Sequence, residues 1–169
     1  MDHSLRIERF APHEWLSYRE LRLRALVDSP DAFGSTLERE SAFPDDLWAE
    51  RLERGARSPT DLPLVARLGD EMVGMAWGRV QEADRRDVHV YQVWVAPEHR
   101  GRGVGQALLG AVIAWARESG VRQISLDVTC SNTAAMRLYA RAGFLPTGEP
   151  EPLRPGSPLM KQGMRLELG

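Results

Sequence analysis

Apolar and charged residues alternate over Leu5–Phe10, with Leu5, Ile7 and Phe10 set among charged neighbours, and Ala11-Pro12 ends the run; this predicts a first strand. From His13 to Val27 the period lengthens, and Trp15, Tyr18, Leu21, Ala25 and Leu26 share one face of a helix that Ser29-Pro30 stops. Asp31–Phe43 shows neither period and reads as an irregular connector. A second helix is predicted over Pro44–Leu52, with proline in its first turn, Leu47, Trp48 and Leu52 as its stripe, and Gly55 beyond its end. Leu62–Leu68 and Met72–Val80 are strand-like runs joined at Gly69-Asp70, a hairpin signal, and the polar stretch Gln81–Asp87 is a second turn. His89–Val95 carries Val, Tyr and Trp on both faces, as a strand covered on both sides does.

Val104, Leu108, Ala111, Val112 and Trp115 recur at helical spacing as far as Gly120. Val121–Val128 alternates, with Ile124, Leu126 and Val128 on one face. A last helix is predicted over Thr133–Ala142, capped by Ser131 or Asn132 and stopped by Gly143. Met160, Gln162, Met164, Leu166 and Leu168 line one face of a closing strand, and the proline-rich stretch before it, Pro146–Pro158, reads as a loop suited to be a mobile flap. The predicted order is β-α-α-β-β-β-α-β-α-β without internal repeats, a single mixed α/β domain over residues 1–169.

Composition acts mainly by exclusion. The chain has 169 residues, 43% of them hydrophobic, with 22 Lys plus Arg against 24 Asp plus Glu and a net charge of −2. That length supports one sizeable core, and the near-neutral balance without a basic block argues against nucleic-acid binding, which depends on clustered cations. No apolar run approaches the ~18 residues of a membrane span. The first ten residues lack the basic-then-apolar pattern of a signal peptide, so a cytoplasmic location is expected. Cys130 is the single cysteine, read as a packed thiol; neither an intrachain disulfide nor a cysteine-based metal site can be built, and no metal is expected.

Candidate chemistry concentrates in Val93–Gly105, V-W-V-A-P-E-H-R-G-R-G-V-G, a glycine-rich turn between a predicted strand and a predicted helix. The first N–H groups of a helix lack intrahelical partners and sit at the positive end of its dipole, and glycines let an anion approach the backbone. The segment is therefore an anion cradle, with Arg100 and Arg102 as added donors. Spacing discriminates among phosphate ligands. The lysine and hydroxyl of a Walker A loop are missing, and a dinucleotide fingerprint needs glycine where Gln106 stands, so a nucleotide-binding domain is disfavoured.

Arg100-x-x-Gly103-x-Gly105 resembles the acyl-CoA pyrophosphate motif of the GNAT superfamily of N-acetyltransferases, and Asn132-Thr-Ala-Ala-Met-Arg-Leu-Tyr139-Ala-Arg-Ala-Gly143-Phe144 is similar to its second signature. Asp28–Thr36 and Trp94–Pro97 further resemble a bacterial subgroup. The resemblance implies a central mixed, mostly antiparallel sheet flanked by helices, with acetyl-CoA as co-substrate. It implies acetyl transfer by direct attack of a primary amine of a small molecule or peptide, and, since members often dimerise, a homodimer. It places the pyrophosphate over Arg100, Gly101, Arg102, Gly103, Val104 and Gly105, and the pantetheine arm against Asn132. Tyr139 would stand beside the sulfur as general acid, its pKa of ~10 suited to a thiol of ~8.5 without large tuning. The N–H of Trp94 or Val95, at a bulge in the strand, would meet the acyl oxygen. The alternative on the same motifs is a non-catalytic acyl-CoA-binding module.

The general base is less defined. Many members carry a glutamate on the central strand, acting through water, where this chain has Tyr91 and Gln92. His89, Glu38 and Glu40 are the candidates, the two glutamates lying in the connector that borders the acceptor side, and a water chain with no dedicated base is an equal alternative. An amine of pKa ~10.4 is neutral about once in 10³ to 10⁴ at pH 7, roughly 4.6 kcal/mol that a base or desolvation must offset. The carboxylates Asp31, Glu38, Glu40, Asp45 and Asp46 could favour a cationic amine by complementarity, but they are equally what any soluble surface carries, so the sequence leaves the acceptor open.

Overall fold

All six predicted strands join one sheet, to which the computed structural model, describing residues 4–169, adds a seventh. The strands are β1 (Leu5–Arg9), β2 (Asp61–Leu68), β3 (Glu71–Val80), β4 (Asp87–Val95), β5 (Gln123–Thr129), β6 (Leu145–Pro152) and β7 (Met160–Glu167), in the spatial order β1-β2-β3-β4-β5-β7-β6. Every neighbouring pair is antiparallel except β4 and β5. Helices α1 (Trp15–Asp28), α2 (Leu37–Ser41), α3 (Asp45–Arg57), α4 (Val104–Glu118) and α5 (Thr133–Arg141) complete the mixed α/β fold.

Two apolar layers sandwich the sheet, which is why β2 and β3 are buried along most of their length. On one face α4 sets Val104, Leu108 and Val112 against Ala66, Val90 and Ile124. On the other, α1 and α3 set Tyr18, Leu21, Trp48 and Leu52 against Val65, Met75 and Trp77. Tyr18 meets Phe10, Trp48 and Trp77 edge-on, with ring centroids 5.5 to 5.9 Å apart, the arrangement that aromatic quadrupoles favour.

The structure corrects three sequence readings. The second predicted helix runs to Arg57, and Gly55 lies buried inside it rather than past its end; a Cβ there would meet the Trp77 ring at 2.3 Å, so the glycine marks close approach of α3 to β3. The connector Asp31–Phe43 contains α2, whose N-cap Thr36 accepts a hydrogen bond from the Arg39 N–H. Pro146–Pro158 is largely not a flap, since Leu145–Pro152 forms strand β6. Its prolines are tolerated because β6 is an edge strand, which needs no second row of N–H donors. A wide irregularity between Thr147 and Glu151 is bridged by the Gln162 side chain, which donates to the carbonyls of Thr147 and Gly148.

The feature that positions the site is a parting of the sheet. β4 and β5 pair only over Asp87–His89 with Gln123–Ser125; beyond that β4 follows β3 to Val95 while β5 follows β7 to Thr129. The divergence coincides with a bulge in β4, where Tyr91 faces Trp77 but Trp94 already faces Met75. Gln92 takes a left-handed φ of +58° there, and its side-chain oxygen accepts a 2.8 Å hydrogen bond from the buried Tyr18 hydroxyl. Burial pushes the Tyr18 pKa up to about 12, so the hydroxyl stays a donor.

Candidate active site

The parted strands open onto two cavities. The first, of about 770 Å³, lies between β4, the loop into α4 and the start of α5; of the residues from Trp94 to Gly105 singled out in the sequence, all but the exposed Arg102 line it. Gly103 is the N-cap of α4 at φ +85°, and Gly101 has φ +75°, conformations that side chains with a Cβ rarely adopt. A Cβ at either glycine would meet nothing within 4 Å, so open space lies beside the backbone at the helix start. Gly105 differs: a Cβ there would come within 3.1 Å of Leu138, so this glycine serves the packing of α4 on α5.

Arg100 is not the free anion donor the sequence suggests. Its Nε donates to the Val95 carbonyl at 3.0 Å and its Nη2 to Asp28 Oδ2 at 2.6 Å. The same Asp28 oxygen accepts from the Trp94 indole at 3.0 Å. Burial favours the neutral form of Asp28, but hydrogen bonds from Ser29, Trp94 and Arg100 outweigh it and hold the carboxyl below its ordinary range. Asp28, which the sequence offered only as the head of Asp28–Thr36 and gave no role because it lies far from the motif, thus ties α1 to both β4 and the glycine loop.

Peptide groups alternate along a strand, and this separates Trp94 from Val95. The Ala96 N–H donates to Val73 on β3, and the Trp94 carbonyl also faces β3, 2.9 Å from where a Gly74 Cβ would stand. Trp94 therefore spends its peptide group on the ladder, which removes it as a donor to a ligand; the peptide of Val95 faces the cleft. Asn132 lines the same cavity and caps α5, its Oδ1 accepting from the Ala135 N–H at 3.2 Å, so Asn132 and not Ser131 is the cap.

The second cavity, of about 550 Å³, lies on the far side, walled by β4, β5 and the segment from Ala32 to Phe43. Ala32, Val93, Thr129 and Tyr139 line both cavities and form the neck between them. Tyr139 is 6% exposed, packs edge-on against Phe144 and makes no hydrogen bond to any described residue. Burial raises its pKa to about 12. Val93, within the bulge, heads the Val93–Gly105 segment but was given no role from sequence, because a bulge position leaves no compositional mark.

His89 lines the second cavity at the foot of the cleft, and its hydrogen bonds define its tautomer. Ser125 Oγ donates its single proton to Asp87 at 2.8 Å, so toward His89 Nδ1, 3.1 Å away, it must accept. Nδ1 then carries the proton and Nε2 the lone pair, 3.8 Å from Asp127. Burial lowers the His89 pKa more than Asp127 and Asp87 raise it, which leaves the imidazole neutral at pH 7.

The two glutamates are placed otherwise than expected. Glu38 is exposed and does not line the cavity. Glu40 does, but Arg22 grips it with two hydrogen bonds of 3.0 and 2.8 Å, and both side chains are about 95% buried. Burial works to raise the Glu40 pKa, but the Arg22 hydrogen bonds and charge prevail and hold it low, so it is a poor proton acceptor. Asp45 and Asp46 also lie outside the cavity. Elsewhere, Glu71, Glu98 and His99 bring ligand atoms within 4.8 Å of one another, but Glu98 pairs with Arg24 and His99 with Glu71.

Comparisons with known proteins agree with this architecture. The chain is 34% identical over 152 residues to a mycothiol acetyltransferase of Thermobispora bispora, a match covering 85% of this chain and 48% of that one. A second mycothiol acetyltransferase, from Propionibacterium freudenreichii, is 45% identical over 85 residues, 48% of this chain and 27% of its own. The chain thus spans about half or less of the length of these relatives. Among solved structures, yncA of Salmonella typhimurium, determined with its cofactor acetyl-CoA, superposes with a TM-score of 0.80 at 23% identity, over 98% of this chain and 95% of that one. A GCN5-related N-acetyltransferase from Kribbella flavida gives 0.75 at 23% identity, over 97% and 98%. Residues 15–144, from the start of α1 through the glycine loop to Phe144 after α5, match the acetyltransferase (GNAT) family, to which this chain belongs.

Proposed function

We propose that the chain transfers the acetyl group of acetyl-CoA directly to a primary amine of a small molecule or peptide. One observation carries this reading: two separate cavities meet at a neck lined by Tyr139, one floored by a helix N-terminus and the other containing a neutral histidine. A binding module needs only the first. The open space beside Gly101 and Gly103 fits a pyrophosphate, the Asn132 amide fits a pantetheine arm, and Tyr139 lies at the neck, within the cavity that would hold the thioester.

The residues divide the work as follows. The Val95 N–H donates to the acyl oxygen as negative charge builds on it, and it costs no reorganisation because the strand holds it. His89 Nε2 receives one proton from the acceptor's ammonium. The freed nitrogen bonds the acetyl carbon, the carbon–sulfur bond breaks, and the amine's second proton ends on the sulfur. His89 lies four residues before Val93, ~13 Å along an extended strand, so water relays that first proton. Complete proton transfer from Tyr139, with its pKa near 12, to a thiolate of ~8.5 is uphill by about 5 kcal/mol. Its hydroxyl therefore acts as a hydrogen-bond donor that stabilises the departing sulfur, a revision of the simple acid role.

The test is thiol release from acetyl-CoA over an amine panel, with mass detection of the acetylated amine and calorimetry of CoA binding. Amine-dependent release is expected. Tight CoA binding without release above the amine-free rate for any amine would overturn transfer in favour of the binding module.

A further inference from the structure

The second cavity carries more positive charge than its carboxylates can balance. Arg22 is spent on Glu40, Arg79 on Asp61, and Lys161 sits 3.5 Å from Asp127. Arg39 on α2 and Arg51 on α3 also line the cavity, and neither has a carboxylate within 4 Å among the described residues. Arg51 lies over the rings of Phe43 and Trp48, centroid distances 5.1 and 6.0 Å, which holds its guanidinium on the cavity wall. A third feature is independent of these two. Arg22, 4% exposed, gives Nε and Nη2 to Glu40 and lies 4.5 Å over the Phe33 ring, yet its Nη1 is buried without a hydrogen-bond partner. Closed to solvent, Arg22 is a fixed part of the cavity wall, which leaves Arg39 and Arg51 as the guanidinium groups an occupant can reach.

We propose that the amine accepted by this protein also bears an acidic group, a carboxylate or comparable oxyanion, received by Arg39 and Arg51. The assignment rests on the acetyl-transfer reading above and goes against the cationic amine, one of the two readings the acidic residues left open. Guanidinium groups suit it because their planar fork matches an oxyanion in two-point contact. Stacked on Phe43 and Trp48, Arg51 is pre-organised, whereas Arg39 is exposed at the cavity rim.

The experiment compares kcat/KM for a series of α- and ω-amino acids with that for the matching carboxamides, with spermidine as cationic reference, in the parent protein and in the Arg39→Glu/Arg51→Glu double variant. Acids are expected to exceed their amides by tenfold or more in the parent. The double variant should lose that preference while binding CoA as the parent does, which also shows that it is folded. Carboxamides or spermidine turned over as well as the acids, unaffected by charge reversal, would overturn the assignment. A second readout is calorimetric binding of the N-acetylated amino acids against their N-acetyl amides. If no amine is acetylated at all, acetyl transfer fails. Acid binding that is lost on charge reversal would then still support the anion site, and absence of such binding would overturn it.

Discussion

In the proposed reaction turnover rests on a phenol at the neck of two cavities and an imidazole at the foot of the cleft, and each role has a separate signature. Tyr139→Phe removes one oxygen and keeps the ring against Phe144, so stability should hardly change, acetyl-CoA affinity should stay the same, and kcat should fall by about 10²-fold. Steady-state kinetics beside calorimetry checks this, and unchanged turnover would return Tyr139 to a packing role. For His89 the sign follows from its lowered pKa. The base works when neutral, so kcat/KM should be lost only as pH falls below the ordinary histidine range near 6.5. A pH profile should show this acid limb in the parent and not in His89→Gln, where the remaining activity is low throughout. The same shift bears on stability. The folded protein holds fewer protons at this site than the unfolded chain, so the contribution is present above pH 6.5 and lost below it.

At the scale of elements, one residue can serve both a helix and a ligand, and Asn132 shows how to separate the two. Its Oδ1 caps α5 while its amide nitrogen remains for a ligand. Asn132→Asp keeps an acceptor for the Ala135 N–H but has no amide donor, whereas Asn132→Ala loses both. The alanine variant should be less stable by about 0.5 to 2 kcal/mol and the aspartate variant close to the parent, while both bind CoA more weakly; denaturant melts and calorimetry measure the two effects. Much at this scale was legible in the sequence because periodicity reports which face is buried. α1, β2 to β5, α4 and α5 all stand where alternating or helical spacing put them. The failures share a cause, which is that punctuation residues have more than one use. Gly55 looked like a helix stop and proved to be a contact point for Trp77, and the prolines of β6 looked like a loop because they sit on a sheet edge that needs no donors. The site was legible where the glycine loop and the α5 signature lie contiguous in the chain. Partners such as Asp28 for Arg100, Ser125 for His89 and Arg22 for Glu40 were not, since only the folded sheet brings them together.

For the whole molecule, the Arg22–Glu40 pair links α1 to α2 under the cavity wall and couples the architecture to pH. Glu40→Gln leaves the Arg22 charge uncompensated in a dry site and should destabilise the fold by about 3 to 5 kcal/mol, measurable by urea titration. Glu40 has a folded pKa below its unfolded value, so this stabilisation is present above about pH 4.5 and disappears as the pH falls through the folded pKa. The variant should accordingly lose less stability between neutral pH and pH 3 than the parent. The parting of β4 from β5 has a mechanical meaning as well. Seven strands are stitched into one sheet, yet the four on the β1 side and the three on the β6 side share a seam only three residue pairs long. A molecule lying along β4 and touching α5 would act as a clasp across that seam. Hydrogen exchange at Asp87–His89 and Gln123–Ser125 should therefore slow when CoA binds, although none of these amides lies near the glycine loop. Two plates joined by a short hinge would then report, at one end of the sheet, that the other end is occupied.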